Sequence, residues 1–260
     1  MTPGLRGARI LVTRPTAQAQ RLCGLIESAG GQAIRFPVLE IVAEALAEPS
    51  LQLAAASEWL IFTSTNAVDF AIAAFGGKMP GLHRPRIAAV GEATAGALRA
   101  AGWPVDCVPA SDFSSEGLLA EAPMQAVAEQ RCVIVRGVGG REKLAEALRA
   151  RGAEVAYLEV YRRVRPATDT TELIAALAAG RLSATTMTSL EALENLLAML
   201  DETSVAALRA LPLVVVSERI GAAATELGFS SVAVCRQPAD AAILETLTTI
   251  LNGENSGGSN

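Results

Sequence analysis

The feature that most constrains this chain is self-similarity in an interleaved order. AVGEATAGALRAAGW (Ala89 to Trp103) aligns without gaps on VVSERIGAAATELGF (Val215 to Phe229). LIFTSTNAVDF (Leu60 to Phe70) matches TTMTSLEALENL (Thr185 to Leu196), with Thr63-Ser64 falling on Thr188-Ser189. The stretch that opens the chain, Arg9 to Ile41, reappears at Cys132 to Tyr161, after the middle block instead of before it. A tandem duplication would keep the same order in both halves. The order found here requires the first strand-helix-strand segment to pair with the C-terminal half, around a self-contained middle domain.

Each copy reads as short β-branched runs alternating with Ala/Leu helices. The runs are Arg9 to Thr13, Trp59 to Thr63, Arg86 to Val90, Arg131 to Arg136 and Leu213 to Val216. Strand then helix, repeated, predicts an α/β fold with parallel sheets covered on both faces. Helical periods place Leu22, Leu25, Ile26 and Ala29 on one face, and Leu190, Leu193, Leu197 and Leu200 on another. With 260 residues, 51% hydrophobic and only 4% aromatic, two cores of Ala, Leu, Val and Ile are expected. The expected division is residues 1–36 plus 166–251 for the discontinuous first domain and 42–158 for the second. Segments 37–41 and 159–165 are the two crossings, read as hinge strands, and 252–260 reads as a disordered tail.

Composition excludes several classes. A net charge of −5 leaves no global cation excess for nucleic acid. No apolar run is long enough for a membrane span, and Met1 to Ala8 lacks the long apolar stretch of a secretory signal, so a cytoplasmic protein is expected. Cys23, Cys107, Cys132 and Cys235 are far apart among apolar neighbours and read as reduced core residues, with neither disulfide nor metal indicated. His83 is the only histidine. It lies between prolines and reads as an incidental surface residue.

In open parallel sheets, ligands sit beyond the carboxyl ends of the strands. Thr63, Ser64 and Asn66 follow one strand, and Thr188 and Ser189 follow its copy. Gly91 and Thr94 follow another, and Ser217 and Arg219 follow its copy. Hydroxyls and N–H groups at helix starts suit carboxylates or phosphates. The competing reading is helix capping, since Thr188-x-x-Glu191 has capping-box spacing. Arg136, Gly137 and Arg141 belong to a glycine-rich turn that brings backbone and charge to an anion, and Arg14 stands at the equivalent point of the first copy. That turn is neither a dinucleotide fingerprint nor a phosphate-binding loop. Tyr161 reads either as a phenol donating to a departing oxygen or as a strand tyrosine packed at the crossing.

Taken together, ILVTRP, FTSTNAV, AVGEATA, VRGVGGRE, LEVYRR and VVVSERIG resemble, in order and spacing, the uroporphyrinogen-III synthase family. The resemblance implies two similar flavodoxin-like parallel-sheet domains joined by a two-stranded β-ladder hinge. It also implies cofactor-free cyclisation of hydroxymethylbilane, with loss of water and inversion of the last ring. Tyr161 then falls on the family's tyrosine, and Ser64, Thr94, Thr188 and Ser189 on its ligand-contacting positions. The substrate would be a polycarboxylate tetrapyrrole, held between the copies by a monomer that receives it transiently from hydroxymethylbilane synthase. Ser217-Glu218-Arg219-Ile220 departs from the Gly and Thr that many members have in that turn. The competing function is a two-domain small-ligand binding protein of the periplasmic type, and a third reading is a regulatory domain that has lost activity.

Overall fold

A computed structural model describes residues 4–80 and 84–253. His83 and residues 254–260 of the expected tail lie outside the described residues. The chain divides into two compact units: one runs up to Glu40 and resumes at Val164, and the other is Ile41–Arg163. The expected hinge segments are therefore shared out, 37–40 and 164–165 to the first unit and 41 with 159–163 to the second.

The first unit holds β1 (Arg9–Val12), β2 (Gln32–Arg35), β8 (Ala184–Met187), β9 (Leu213–Val215) and β10 (Val232–Val234) in one parallel sheet, ordered β10-β9-β8-β1-β2. Numbered by their order within this unit, the strands run 2-1-3-4-5, the doubly wound order of flavodoxin-like sheets. The second unit holds β3 (Glu40–Ala43), β4 (Trp59–Phe62), β5 (Arg86–Ala89), β6 (Arg131–Gly137) and β7 (Glu154–Val164), ordered β3-β7-β6-β4-β5. Beyond β5, Cys107 makes a parallel bridge to Ala88.

Superposing the self-similar segments puts β6 on β1, β7 on β2, β4 on β8, β5 on β9 and the Cys107 bridge on β10. The second sheet thus has the same spatial order as the first, with its strands threaded in a permuted sequence. β3 adds to the free side of β7, where the Glu44 N–H donates to the Val160 carbonyl at 3.0 Å.

The inner strands of each sheet are buried on both faces, successive side chains pointing oppositely, while the edge strands β2 and β3 are partly exposed. Leu11 joins one apolar cluster with Leu193 and Leu213, while Ile10 and Val12 join another with Leu22 and Ile243. In the second unit Leu60, Phe62, Val133 and Val135 pack on one side, and Trp59, Ile61, Cys132 and Ile134 on the other. Burying one such side chain fully contributes about 1.5–3 kcal/mol.

Helix Thr16–Ser28 buries Ala19, Leu22, Cys23 and Ile26, close to the expected face. Helix Leu190–Met199 buries Ala192, Leu193 and Leu196, so the expected Leu190, Leu197 and Leu200 flank the core and do not form it. Asn252 and Gly253, expected in the tail, close helix Asp240–Gly253, where the Asn252 amide donates to the Thr248 carbonyl. All four cysteines are free and buried, and burial pushes the Cys107 and Cys132 thiols up to about 11.

Two glycines with opposite surroundings test this packing. A Cβ at Gly117 would lie 1.8 Å from the Asp112 carbonyl oxygen, whereas one at Gly96, inside helix Glu92–Ala100, meets nothing within 4 Å. Gly117→Ala is expected to cost at least about 2 kcal/mol in urea unfolding, and Gly96→Ala to stabilise by about 0.5–1 kcal/mol.

Candidate functional site

The doubly wound order reverses direction between β1 and β8 in the first sheet, and between β6 and β4 in the second. Ligands of such sheets gather beyond the carboxyl ends at this switch point. The turns found there carry Arg14, Thr188 and Ser189 in one unit, and Thr63, Ser64 and Gly137 in the other.

Those at Ser64 and Ser189 share one geometry with the turns after the neighbouring strands β5 and β9. Ser64, Ser189, Gly91 and Ser217 are the N-caps of helices Thr65–Ala74, Leu190–Met199, Glu92–Ala100 and Glu218–Glu226, all with extended backbone. Ser64 Oγ accepts from Ala67 N at 3.1 Å and Ser189 Oγ from Ala192 N at 3.1 Å. Ser217 Oγ accepts from Ile220 N at 3.4 Å. The capping reading of Thr188 is therefore corrected by one residue: the cap is Ser189, its counterpart Ser64 caps equivalently, and Thr188 sits just outside the helix. The departure at Ile220 also has a physical reason, because this side chain is buried in the core of the first unit.

The remaining polar candidates divide by exposure. Thr63 Oγ1 donates to the Val135 carbonyl at 3.2 Å, Asn66 is half-buried in the first helical turn, and Thr94 is buried. Arg141 and Arg219 are exposed.

The two arginines at the ends of the central strands are already engaged. Arg14 pairs with Asp240, at the start of helix Asp240–Gly253. Arg136 is buried; its guanidinium donates to Glu142 at 2.9 Å, to the Gly140 carbonyl at 3.1 Å and to Glu159 at 3.1 Å, and it stacks 3.7 Å over the Tyr157 ring. Hydrogen bonds from the Tyr157 hydroxyl and from Arg136 hold the Glu142 carboxyl below its ordinary range. Arg136 thus acts as the clasp of its own turn, and its charge is compensated before any ligand arrives.

Tyr161 answers to both of its sequence readings. Its ring is buried, stacked on Phe70 at 5.7 Å, and seated on Gly137, where a Cβ would lie 2.5 Å from the ring. Its hydroxyl lies 3.3 Å from Ser64 Oγ. A register shift in the β6–β7 pairing, from Arg136↔Glu159 to Gly137↔Tyr161, skips Val160. Simple alternation would send Tyr161 to the opposite face from Leu158 and Val160, yet all three join one apolar cluster. The irregularity turns the phenol towards Ser64, as bulges beside active sites commonly do.

Two residues absent from the sequence reading belong to the same edge. Phe113, 56% exposed, touches the Gly91 turn, and Val138, 49% exposed, follows Gly137 and donates its N–H to the Tyr161 carbonyl at 2.8 Å. They are the large hydrophobic side chains exposed among the described residues. Phe113 precedes Ser114, which caps helix Ser115–Ala120 by accepting from the Gly117 N–H at 3.1 Å, but with Gly in place of Glu or Gln at the third position the segment lacks the capping-box spacing that would have marked it.

The comparisons with known proteins settle the family. The uroporphyrinogen-III synthase family model matches residues 20–245. The chain belongs to the uroporphyrinogen-III synthase family. Its similarity to the uroporphyrinogen-III synthase of Escherichia coli K12 is 34% identity over 245 residues, covering 92% of this chain and 99% of that protein. The synthase of Synechococcus elongatus is 32% identical over 197 residues, 74% of each chain. The fold agrees with crystal structures of the Helicobacter pylori enzyme (TM-score 0.61, 16% identity, 94% and 99% coverage) and of a Thermus thermophilus mutant (TM-score 0.55, 22% identity, 96% and 98% coverage). Family members cyclise hydroxymethylbilane, and the competing reading as a periplasmic-type binding protein gives way.

The one-residue correction at the cap is directly measurable. Ser189→Ala is expected to cost about 1 kcal/mol in denaturant unfolding, and Thr188→Ala less than about 0.5 kcal/mol.

Proposed function

We propose that Ser64 and Tyr161 form the polar pair that meets the leaving hydroxyl of hydroxymethylbilane. The observation that carries this reading is the 3.3 Å approach of the two hydroxyls at the N-terminus of helix Thr65–Ala74. Ser64 Oγ accepts from the Ala67 N–H, which leaves its own proton for a further acceptor and frees the phenol to donate outward. The C–O bond of the hydroxymethyl group breaks with the electron pair of the adjacent pyrrole nitrogen assisting, and the oxygen takes the proton of the Tyr161 phenol and leaves as water; the proton lost on ring closure restores the phenol. The cation so formed closes on the last ring. Electron-rich pyrroles do most of this work themselves, so the protein's part is to fold the chain of rings and keep water away.

Substrate carboxylates are assigned to the helix starts at Ser64, Gly91, Ser189 and Ser217, because the first N–H groups of a helix lack intrahelical partners and favour anions. Thr63, Asn66, Thr94 and Thr188 border these starts, and the exposed Arg141 and Arg219 add charge. Phe113 and Val138 offer apolar surface to the pyrrole rings. Arg14 and Arg136 are given a supporting role: their carboxylate partners fix the turns whose backbone does the binding. The chain is proposed to act as a cytoplasmic monomer, taking its substrate from hydroxymethylbilane synthase by transient handover. Four buried free thiols suit a reducing compartment.

Tyr161→Phe keeps the ring packed on Phe70 and Gly137 and removes only the hydroxyl. It is expected to slow formation of the type III isomer by about tenfold to a hundredfold with the unfolding midpoint unchanged. A rate equal to that of the unsubstituted protein removes Tyr161 from the chemistry. Gly137→Ala pushes the ring itself aside, and is expected to lose both activity and about 1–3 kcal/mol of stability; product isomers resolved by chromatography and a urea titration read the two effects separately.

A further inference from the structure

Beside edge strand β2 and helix Thr171–Ala178, the first unit carries a cavity of about 720 Å³. Ile34, Phe36 and Leu173 give it an apolar surface, and Arg9, Arg35 and Arg181 line it with cations. None of these three arginines takes part in an ion pair among the described residues. Arg9 Nε is buried and has no hydrogen-bond partner. A guanidinium N–H withdrawn from water and left unpaired is costly, and an incoming acceptor removes that cost. Two carboxylates share the lining, Asp169 and Glu172, but Asp169 is occupied by the N–H and hydroxyl of Thr171. The cationic groups remain in excess.

The position of this cavity in the chain adds a second consideration. Ile34, Arg35 and Phe36 are among the last residues before the chain leaves the first unit after Glu40, and Thr168 and Asp169 come soon after it returns at Val164. A molecule held there touches both the outgoing and the returning segment.

We infer that this cavity binds an amphiphilic organic anion, with a flat apolar body against Ile34, Phe36 and Leu173 and a carboxylate or sulfonate towards Arg9 and Arg181. None of the residues lining it is assigned a part in the reaction. The planar aryl sulfonate 8-anilinonaphthalene-1-sulfonate is a suitable probe, titrated against the full chain by fluorescence. Saturable one-to-one binding is expected, weakened at least about tenfold by Arg9→Gln with Arg181→Gln and kept within about threefold by Arg9→Lys with Arg181→Lys. Turnover of hydroxymethylbilane is expected to be unchanged in both double variants, and Tyr161→Phe is expected to bind the probe as the unsubstituted chain does. The inference is overturned if the unsubstituted chain shows no saturable binding, or if the glutamine variant binds equally well. Should that variant not fold, Arg35→Gln with Arg181→Gln, both exposed, replaces it; at least about threefold weakening is then expected, and equal affinity rejects the site.

Discussion

The parallel pairing of β1 with β8 is the contact on which the rest of the first unit depends. It joins residues as far apart as Arg9 and Ser183, 174 positions away in sequence, by a hydrogen bond of 3.1 Å from the Arg9 N–H to Ser183 Oγ. Closing so long a loop in a disordered chain is entropically expensive, although the cost grows only slowly with length. The second unit shortens the loop. With β3 beside β7, the Glu44 N–H bonded to the Val160 carbonyl holds the two ends of the inserted segment within one hydrogen bond of each other. Where that pairing is formed, the first sheet has only a short effective loop to close.

The same architecture decides where charge is spent. Arg14 and Arg136 stand at the ends of central strands, where a lone cation would suit an anionic ligand, yet each is matched by carboxylates of its own unit. What these turns leave uncompensated is mostly backbone N–H, hydroxyl and apolar surface, with Arg141 and Arg219 exposed beside them. Such groups are fixed by the fold and need no reorganisation when charge or a leaving group appears beside them.

Much of this was legible in the residues because repeats preserve local chemistry. Thr63-Ser64 and Thr188-Ser189 could be paired by eye, and both serines cap helices in the same way. The errors arose where one residue of register matters. Capping-box spacing pointed to Thr188, but the extended residue that closes the turn is Ser189. Periodicity in helix Leu190–Met199 chose leucines, whereas the buried stripe runs through the smaller Ala192 and through Leu196. Partners such as Asp240 for Arg14 are 226 positions away and leave no local signal. The skipped Val160 that re-aims Tyr161 is likewise a property of two strands together, invisible in either one.

The permuted threading has a practical consequence for the molecule as an object that can be cut and joined. Every strand pairing of the first sheet is made between residues of the first unit, and every pairing of the second between residues 40 and 164. The chain is one doubly wound domain spliced into a loop of another, and the splice falls at the β2 edge of the host sheet. Excising the guest and bridging Glu40 to Val164 would leave the host's hydrogen-bonded ladder whole, because each sheet is complete in its own strand pairings and the chain simply passes out of the host and back into it.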